Sequence, residues 1–485
     1  MMKKTLVTAV LASLILNITA CGTTGNALTA GSAGNAGGTG AFTETAAEET
    51  DKKITEEGRE APPEGMGTPP EGGPGGGTGS ADIDYTGAEE ITSADVQENR
   101  TYVSDETDES ALLISTDEDV SIISPTVSKT GDSDGGDSCN FYGLNAAVLV
   151  KDGSTTTITG GVITSDADGA NGVFSYGGNG GQNGAVGDGT TVIISDTVIT
   201  TTGSGSGGIM TTGGGVTEAY DLTVTTSGQS SAAIRTDRGG GTVTVDCGTY
   251  TSNGLGSPAI YSTADITVSN AELVSNLSEG VCIEGKNSIT LIDCDLTANN
   301  TRCNGNATFL DTIMIYQSMS GDADSGTSSF TMTGGSITSR NGHMFHVTNT
   351  SAVITLEGVE LINEDEENIL LSVCADGWSG ADNKAVLNAV SQALSGKILV
   401  GDDSTFTLSL TRGSSFEGSI DGEIVNASGV TMSSGTGEVK VIIDDSSTWT
   451  LTADSYVTSF EGDAANVISN GYTLYVNGEA LGGTR

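Results

Sequence analysis

Proline, aromatic residues, histidine and positive charge are all scarce in this chain of 485 residues. Pro occurs 7 times, five of them between residues 62 and 74, and aromatic residues make up 5%. Leu, Lys and Glu do not dominate, which argues against a helical bundle. There are only two His, and none of the seven Cys forms a CxxC pair, so the spacing of a structural zinc site is missing. Lys and Arg number 18 against 63 Asp and Glu, for a formal net charge of −45. Such a surface repels nucleic acid and anionic lipid, which excludes both as direct partners. The Gly-rich runs at residues 177–184 and 239–241 precede neither a helix pattern nor a Lys-Ser/Thr pair, so they do not read as phosphate loops. No Ser-His-Asp triad can be argued from the sequence.

What is present in abundance is Gly, at 71 copies, with Thr and Ser throughout. That composition predicts many short strands separated by tight turns. Before the strands comes an address. Lys3 and Lys4 precede the apolar run from Leu6 to Ile18, which is signal-peptide length and short for a membrane span. The run closes on Ile18-Thr19-Ala20-Cys21, which resembles a bacterial lipobox. The resemblance implies removal of residues 1–20 and acylation of Cys21, with each buried CH₂ adding about 0.8 kcal/mol to membrane anchoring. Residues 21–82 hold Gly, Thr, Ala, Glu and Pro and almost no large apolar side chains. They cannot bury enough apolar area to offset their ordering entropy and are predicted to be a disordered tether.

The remainder, residues 83–485, repeats. Val243-Thr244-Val245, Ile266-Thr267-Val268 and Ile289-Thr290-Leu291 start about 23 residues apart, and Phe330-Thr331-Met332 follows after an insertion. Ile158-Thr159 and Leu222-Thr223-Val224 lie upstream; Ile354-Thr355-Leu356, Phe406-Thr407-Leu408 and Trp449-Thr450-Leu451 lie downstream. Alternation with period two buries one face of each strand, and strands this short need stacked neighbours. The predicted fold is all-β: a right-handed parallel β-helix of about 10 or 11 coils, on the order of 50 Å long at about 4.8 Å per rung. A leucine-rich repeat would need an Asn ladder and Leu spacing that are absent; a hairpin sandwich would not demand a fixed period. Residues 83–128 are expected to cap the N-terminal end and residues 439–485, with Trp449, Tyr456, Phe460, Tyr472 and Tyr475, the C-terminal end. Residues 299–311 and 318–328 read as loops. Residues 381–396 read equally well as a short helix or an irregular coil. Cys139, Cys247, Cys282, Cys294, Cys303 and Cys374 sit mostly in apolar strands and are expected to be buried thiols.

Stretches such as Asn140-Phe141-Tyr142-Gly143-Leu144-Asn145-Ala146-Ala147, residues 207–215 and Ser257-Pro258-Ala259-Ile260-Tyr261 resemble adhesin-like β-helix proteins of the pectin-lyase-like fold group. The resemblance covers about residues 83–480 and implies a surface-exposed, lipid-anchored protein.

A second strand recurs in each coil. With Phe174, Met210, Ile234, Ile260, Ile283, Ile315 and Phe345 aligned as inward residues, the outward column reads Ser175, Thr211, Arg235, Tyr261, Glu284, Tyr316 and His346. Two residues further on stand Asp237, Thr263, Lys286, Ser318 and Thr348. Ion pairing on a surface ladder would account for the charges. A glycan-binding strip would use Arg235, Asp237, Tyr261, Glu284, Lys286, Tyr316 and His346 through ring stacking and paired hydrogen bonds. The alternative, implied by the fold group, is a polysaccharide lyase or hydrolase drawing on Arg235, Asp237, Glu284 and Lys286. The expected partners are a glycan or cell-surface ligand and, through Cys21, a membrane; the expected state is a monomer with no required cofactor. Calcium is the one candidate ion, at the Asp-rich turns Asp166-Ala167-Asp168-Gly169 and Asp322-Ala323-Asp324, which read first as solvated turns. The recurring Thr residues number one per coil, too few for an ice-binding array.

Overall fold

In the computed structural model the described residues are 83–485, apart from 134, 181–185 and 319. The lipobox Cys21 and the predicted tether lie outside them. The described chain is a right-handed parallel β-helix, whose regular structure is almost wholly strands stacked in parallel register. One sheet, here sheet A, contains 15 strands, one for each coil. The other, sheet B, contains 22 strands in two tracks, which the 12-residue strands Gly215–Thr226 and Gly241–Ser252 join. Three strand tracks therefore enclose one core.

The repeat follows the predicted register through the middle of the chain. Val243, Ile266, Ile289 and Phe330 are successive Cα partners, although Ile354, the partner of Phe330, then faces Leu387 and Leu408 rather than Phe406. Leu222-Thr223-Val224 belongs instead to the second track of sheet B, where Val224 pairs with Tyr250. Trp449 belongs to sheet A, paired with Phe416. All three tracks share the apolar-Thr-apolar wording, so the wording alone does not say which track a strand occupies. Residues 381–396 form no helix: Asn383–Val390 and Ala393–Val400 are strands of sheets B and A. Their alternating burial is the period-two pattern of a solenoid strand.

The fifteen rungs of sheet A exceed the ten or eleven coils expected, because the ends are built of coils too. Thr86–Ile91 and Glu109–Ser115 are rungs of sheet A, so the N-terminal end is closed by ordinary coils. The outermost coil carries Glu89, Glu90, Asp95 and Glu98, charges that discourage edge-to-edge pairing. At the other end Ser455–Val457, Leu474–Val476 and Glu479–Ala480 form a separate three-stranded sheet, and the stacked rings of Tyr456 and Tyr475 lie 5.2 Å apart.

Two devices explain the Gly, Asp and Asn content. Between the two tracks of sheet B the coils turn on residues with positive φ: Asp196, Asp221, Cys247, Asn270 and Asp293, at φ from 51° to 64°, in five consecutive coils, and glycine pairs such as Gly160-Gly161 and Gly334-Gly335 in others. Asn and Asp tolerate that left-handed conformation better than other non-Gly residues. Elsewhere backbone meets backbone: a Cβ on Gly228 would stand 1.7 Å from Gly203 O, and one on Gly254 would stand 1.7 Å from Gly228 O. The same corner carries a serine ladder, in which Ser231 Oγ accepts from Ser206 N and Ser257 Oγ from Ser231 N.

The core is one continuous column rich in Val, Ile, Leu, Phe and Ala, with fully buried Trp449 stacked on Phe416 near its C-terminal end. Burying each large side chain contributes roughly 1.5–3 kcal/mol. Cys139, Cys282, Cys294 and Cys374 are buried, and Cys247 and Cys303 are half-buried.

Candidate functional site

The outer face of sheet A is not open to solvent along its length. Four segments fold back over it: the segment with the helix Asp137–Tyr142, the residues from 299 to 310, and the turns at residues 320–326 and 374–382. This covering explains where the alignment of the outward column fails. Phe174 and Met210 point outward, into an apolar cluster with Phe141 and Tyr142, and Ser175 and Thr211 point into the coil interior. There Ser175 Oγ donates to Val216 O and Thr211 Oγ1 bonds Thr217 Oγ1 at 2.6 Å. Apolar character marks the inside only where the outside is wet.

The outward column in fact runs Met210, Arg235, Tyr261, Cys282, Met314, His346, Ser372. Glu284 and Tyr316 stand two residues further along, next to each other and then to Thr348. A shift of two keeps a side chain on its face, so both still point outward and meet Tyr261 diagonally.

Glu284 is the centre of the cluster. Its Oε2 accepts from Tyr261 OH at 2.6 Å and Tyr316 OH at 3.1 Å; its Oε1 accepts from Ser318 Oγ and from Ser320 Oγ at 3.4 Å. The carboxylate is 1% exposed and enclosed by four hydroxyls. Burial, together with the neighbouring Glu284 carboxylate, holds both Tyr hydroxyls well above their usual pKa, so they remain donors. Trp378, from the turn at 374–382, lies against Tyr316 with ring centroids 4.9 Å apart.

Arg235 stands over the Tyr261 ring, its guanidinium carbon 5.7 Å from the centroid. One guanidinium nitrogen pairs with Asp237 Oδ2 at 2.7 Å, and the other donates to Asn140 Oδ1 and Ser230 O. Burial pushes the Asp237 carboxyl up to about 6 against the pull of Arg235. Arg238, not foreseen as a site residue, donates to Asp322 Oδ1 at 2.6 Å and 3.1 Å and covers the Phe141 ring at 4.1 Å. It ties the 320–326 turn to the helix segment.

The result is a trough of three adjoining pockets that share Tyr261. The first is lined by Arg235, Ser230 and Pro258, the second by Asn304, Met314 and Trp378, the third by Glu284, Ser320 and Asp322. From Arg235 to Met314 the trough crosses four rungs, about 14 Å, at about 4.8 Å each.

Five of the seven expected site residues, Arg235, Asp237, Tyr261, Glu284 and Tyr316, thus come together. Lys286 does not: it sits on a half-exposed turn, paired with Asp324 at 2.9 Å. His346 belongs to a different cluster, fully buried, with Nδ1 2.7 Å from Ser372 Oγ and its ring 4.7 Å from that of Phe309. Trp378 was missed; the signal available was a bulky aromatic, one of two Trp in the chain, standing in a polar loop. The Asp-rich turns spend oxygens on protein partners: Asp168 Oδ1 accepts from Ser204 N at 2.7 Å, and Asp322 and Asp324 meet Arg238 and Lys286. Among the described residues no three His, Cys, Asp or Glu side chains converge as metal ligands.

Comparison with protein-family models, with curated proteins and with solved structures finds no match to this chain.

Proposed function

We propose that this chain is an exported, lipid-anchored surface protein that binds a glycan in the trough on sheet A. The observation that carries the reading is the joint placement of Tyr261, Tyr316 and Trp378 with Arg235 and Asp322 along one trough. Aromatic rings stack on the C–H faces of sugars, while Arg and carboxylate groups form paired hydrogen bonds to hydroxyls. The trough is long enough for a short oligosaccharide. Its side chains are held before any ligand arrives, which lowers the ordering cost of binding.

The contacts favour binding over cleavage. A retaining hydrolase needs a carboxylate free to attack, whereas Glu284 accepts from four protein hydroxyls. A lyase needs a base in the cleft, whereas Lys286 is ion-paired on a turn outside the trough lining. The lipobox at Cys21 and the acidic surface support display at the cell envelope in contact with carbohydrate rather than with nucleic acid.

A glycan array probed with the full-length protein, with Trp378→Ala and Tyr261→Ala in parallel, tests the reading. Binding to a defined glycan class that falls at least tenfold in both variants is expected. Absence of any bound glycan, or binding that both variants keep, would overturn it.

A further inference from the structure

A second cleft, of about 690 Å³, opens on sheet A further along the solenoid and shares no lining residue with the trough. Its apolar lining includes Phe309, Ile369 and Leu399; its polar lining includes His343, Asp365, Asp421 and Glu423. Both His of the chain converge behind it on one hydroxyl. His343 Nδ1 and His346 Nδ1 each lie 2.7 Å from Ser372 Oγ. His346 Nε2 faces Asp376 Oδ2 at 3.4 Å, both side chains being fully buried. Thr308 fixes Asp376 in turn, donating from N at 2.9 Å and from Oγ1 at 2.6 Å.

Proton accounting gives this chain a direction. Burial raises the Asp376 carboxyl, but His346, Thr308 and Gly377 together draw it below its ordinary range, so it is an anion. An anion 3.4 Å from Nε2 favours a proton on that nitrogen, and in the neutral ring Nδ1 is then the acceptor. Ser372 then donates to His346 and must accept from His343, so the proton of His343 is on Nδ1. Its Nε2 is left as an acceptor. Burial, with His346 beside it, holds His343 down to about 3, so the ring is neutral. His343 is 7% exposed and lines the cleft.

The polar wall therefore presents acceptors. Lys397, the cation in the lining, is already paired with Glu367 at 3.1 Å. Asp365 at the rim accepts from the backbone amides of Gly342 and Glu367. Asp421 and Glu423 have no ion-pair partner among the described residues. A ligand that fits brings N–H donors and positive charge on a carbon skeleton that can lie on Phe309 and Leu399.

We propose that this second cleft binds a carbon skeleton bearing more than one ammonium group, one accepted by His343 Nε2 and another by Asp421 and Glu423, three rungs or about 14 Å further along sheet A. An amino sugar and a linear polyamine share that chemistry. Isothermal titration of the full-length protein at pH 6.5 with a β-1,4-linked glucosamine trisaccharide, its fully N-acetylated counterpart and spermidine separates the two sources. The glucosamine trisaccharide, spermidine or both are expected to bind, with the N-acetylated sugar at least tenfold weaker. Binding should fall at least tenfold in the surface double variant Asp421→Asn/Glu423→Gln, which leaves the buried chain intact. Ser372→Ala, which removes the hydroxyl that fixes the His343 tautomer, should weaken it by a similar factor. The same titration on Tyr261→Ala distinguishes the clefts: loss of binding there would move the ligand to the trough and overturn the proposal. Equal affinity for the N-acetylated sugar, no binding of either ammonium probe, or unchanged binding in the double variant would also overturn it.

Discussion

Acidification is expected to loosen the segments that cover sheet A before it melts the solenoid. The reason is His343, 7% exposed under the Phe309 ring, whose centroid is 5.2 Å away. Burial, then the neighbouring His346, lower its pKa from 6.5 to about 3, with Asp376 acting in the opposite sense. The opened form binds a proton below pH 6.5, whereas the closed form binds one only below about 3. The stability of closure is therefore whole above pH 6.5 and declines as the pH falls from 6.5 towards 3. At pH 5 the opened form has gained 1.5 units, worth about 2 kcal/mol or roughly 30-fold in the opening equilibrium. Asp365 at the cleft rim and Asp376 behind the ring face the same group; Asp376, whose carboxyl is drawn below its ordinary range, stays ionised at that pH in the closed form. Hydrogen exchange of the amides of Thr308 and His343, which bond Asp376 and Leu310 O, reports this opening directly. Between pH 7 and pH 5, after correction for intrinsic exchange, their protection should fall about 30-fold in the parent and much less in His343→Leu. Carboxylates elsewhere contribute equally to both proteins and cancel in the difference. Equal pH dependence in the two proteins would refute the assignment of the penalty to His343.

Three further outcomes follow from buried groups. Both carboxyl oxygens of Asp311 are buried without a partner, and burial near Glu279 and Asp376 raises its pKa well above the carboxylate range. Because a raised carboxyl costs stability above its unfolded pKa, Asp311→Asn should raise the denaturation midpoint at pH 7.5 and gain less at pH 4; a lower midpoint at pH 7.5 would contradict this. Trp449→Ala should destabilise the C-terminal coils by about 3–5 kcal/mol, because Trp449 is fully buried against Phe416 and donates to Gly418 O; protease mapping should show cleavage beginning there. Arg238→Ala should release the 320–326 turn by removing the Asp322 pair, measured as at least tenfold faster proteolysis within that turn; unchanged cleavage would mean that Ser318, Ser320 and Glu284 suffice to hold it.

Much of this architecture can be read in the chain itself. Val243, Ile266, Ile289 and Phe330 repeat because each must cover the same core position in the next coil, and their spacing survives a long insertion. Arg235 and Tyr261 are legible for the same reason, as large polar groups where Gly, Ser and Thr prevail. What failed was facing and access. Phe174 and Met210 look like core residues and are, but of a second apolar layer under Phe141 and Tyr142 that local periodicity does not reveal. His346 reads as an outward residue and is one, yet the residues from 299 to 310 seal it beneath Phe309. The Ser372–His346–Asp376 chain was invisible because Ser372 and His346 come from successive rungs and Asp376 from the turn after Ser372. Which segments fold back over a sheet depends on contacts far apart in sequence.

The same separation explains why function concentrates on one face. The corner between the two tracks of sheet B is a turn of one or two positive-φ residues per coil, as at Asp196, Asp221, Asn270 and Asp293 or at Gly160-Gly161 and Gly334-Gly335, and an insertion there would break the ladder of both tracks. The corner built on Gly203, Gly228 and Gly254, where the chain passes from sheet B to sheet A, leaves no room even for a methyl group in those coils. In other coils the passages into and out of sheet A open into insertions: in the described residues the helix segment and residues 299–310 lie where the chain enters the sheet, and residues 320–326 and 374–382 where it leaves. They bring Trp378, Asp322, Asn304 and Phe309 over outward side chains that the solenoid already holds at fixed spacing. A rigid ladder supplies Arg235, Tyr261, Glu284 and Tyr316 in register, and the loops supply walls that can vary without disturbing the core. Changing the loops while keeping the rungs should alter which ligand is taken and leave folding intact, whereas changing the Gly corner should do the reverse.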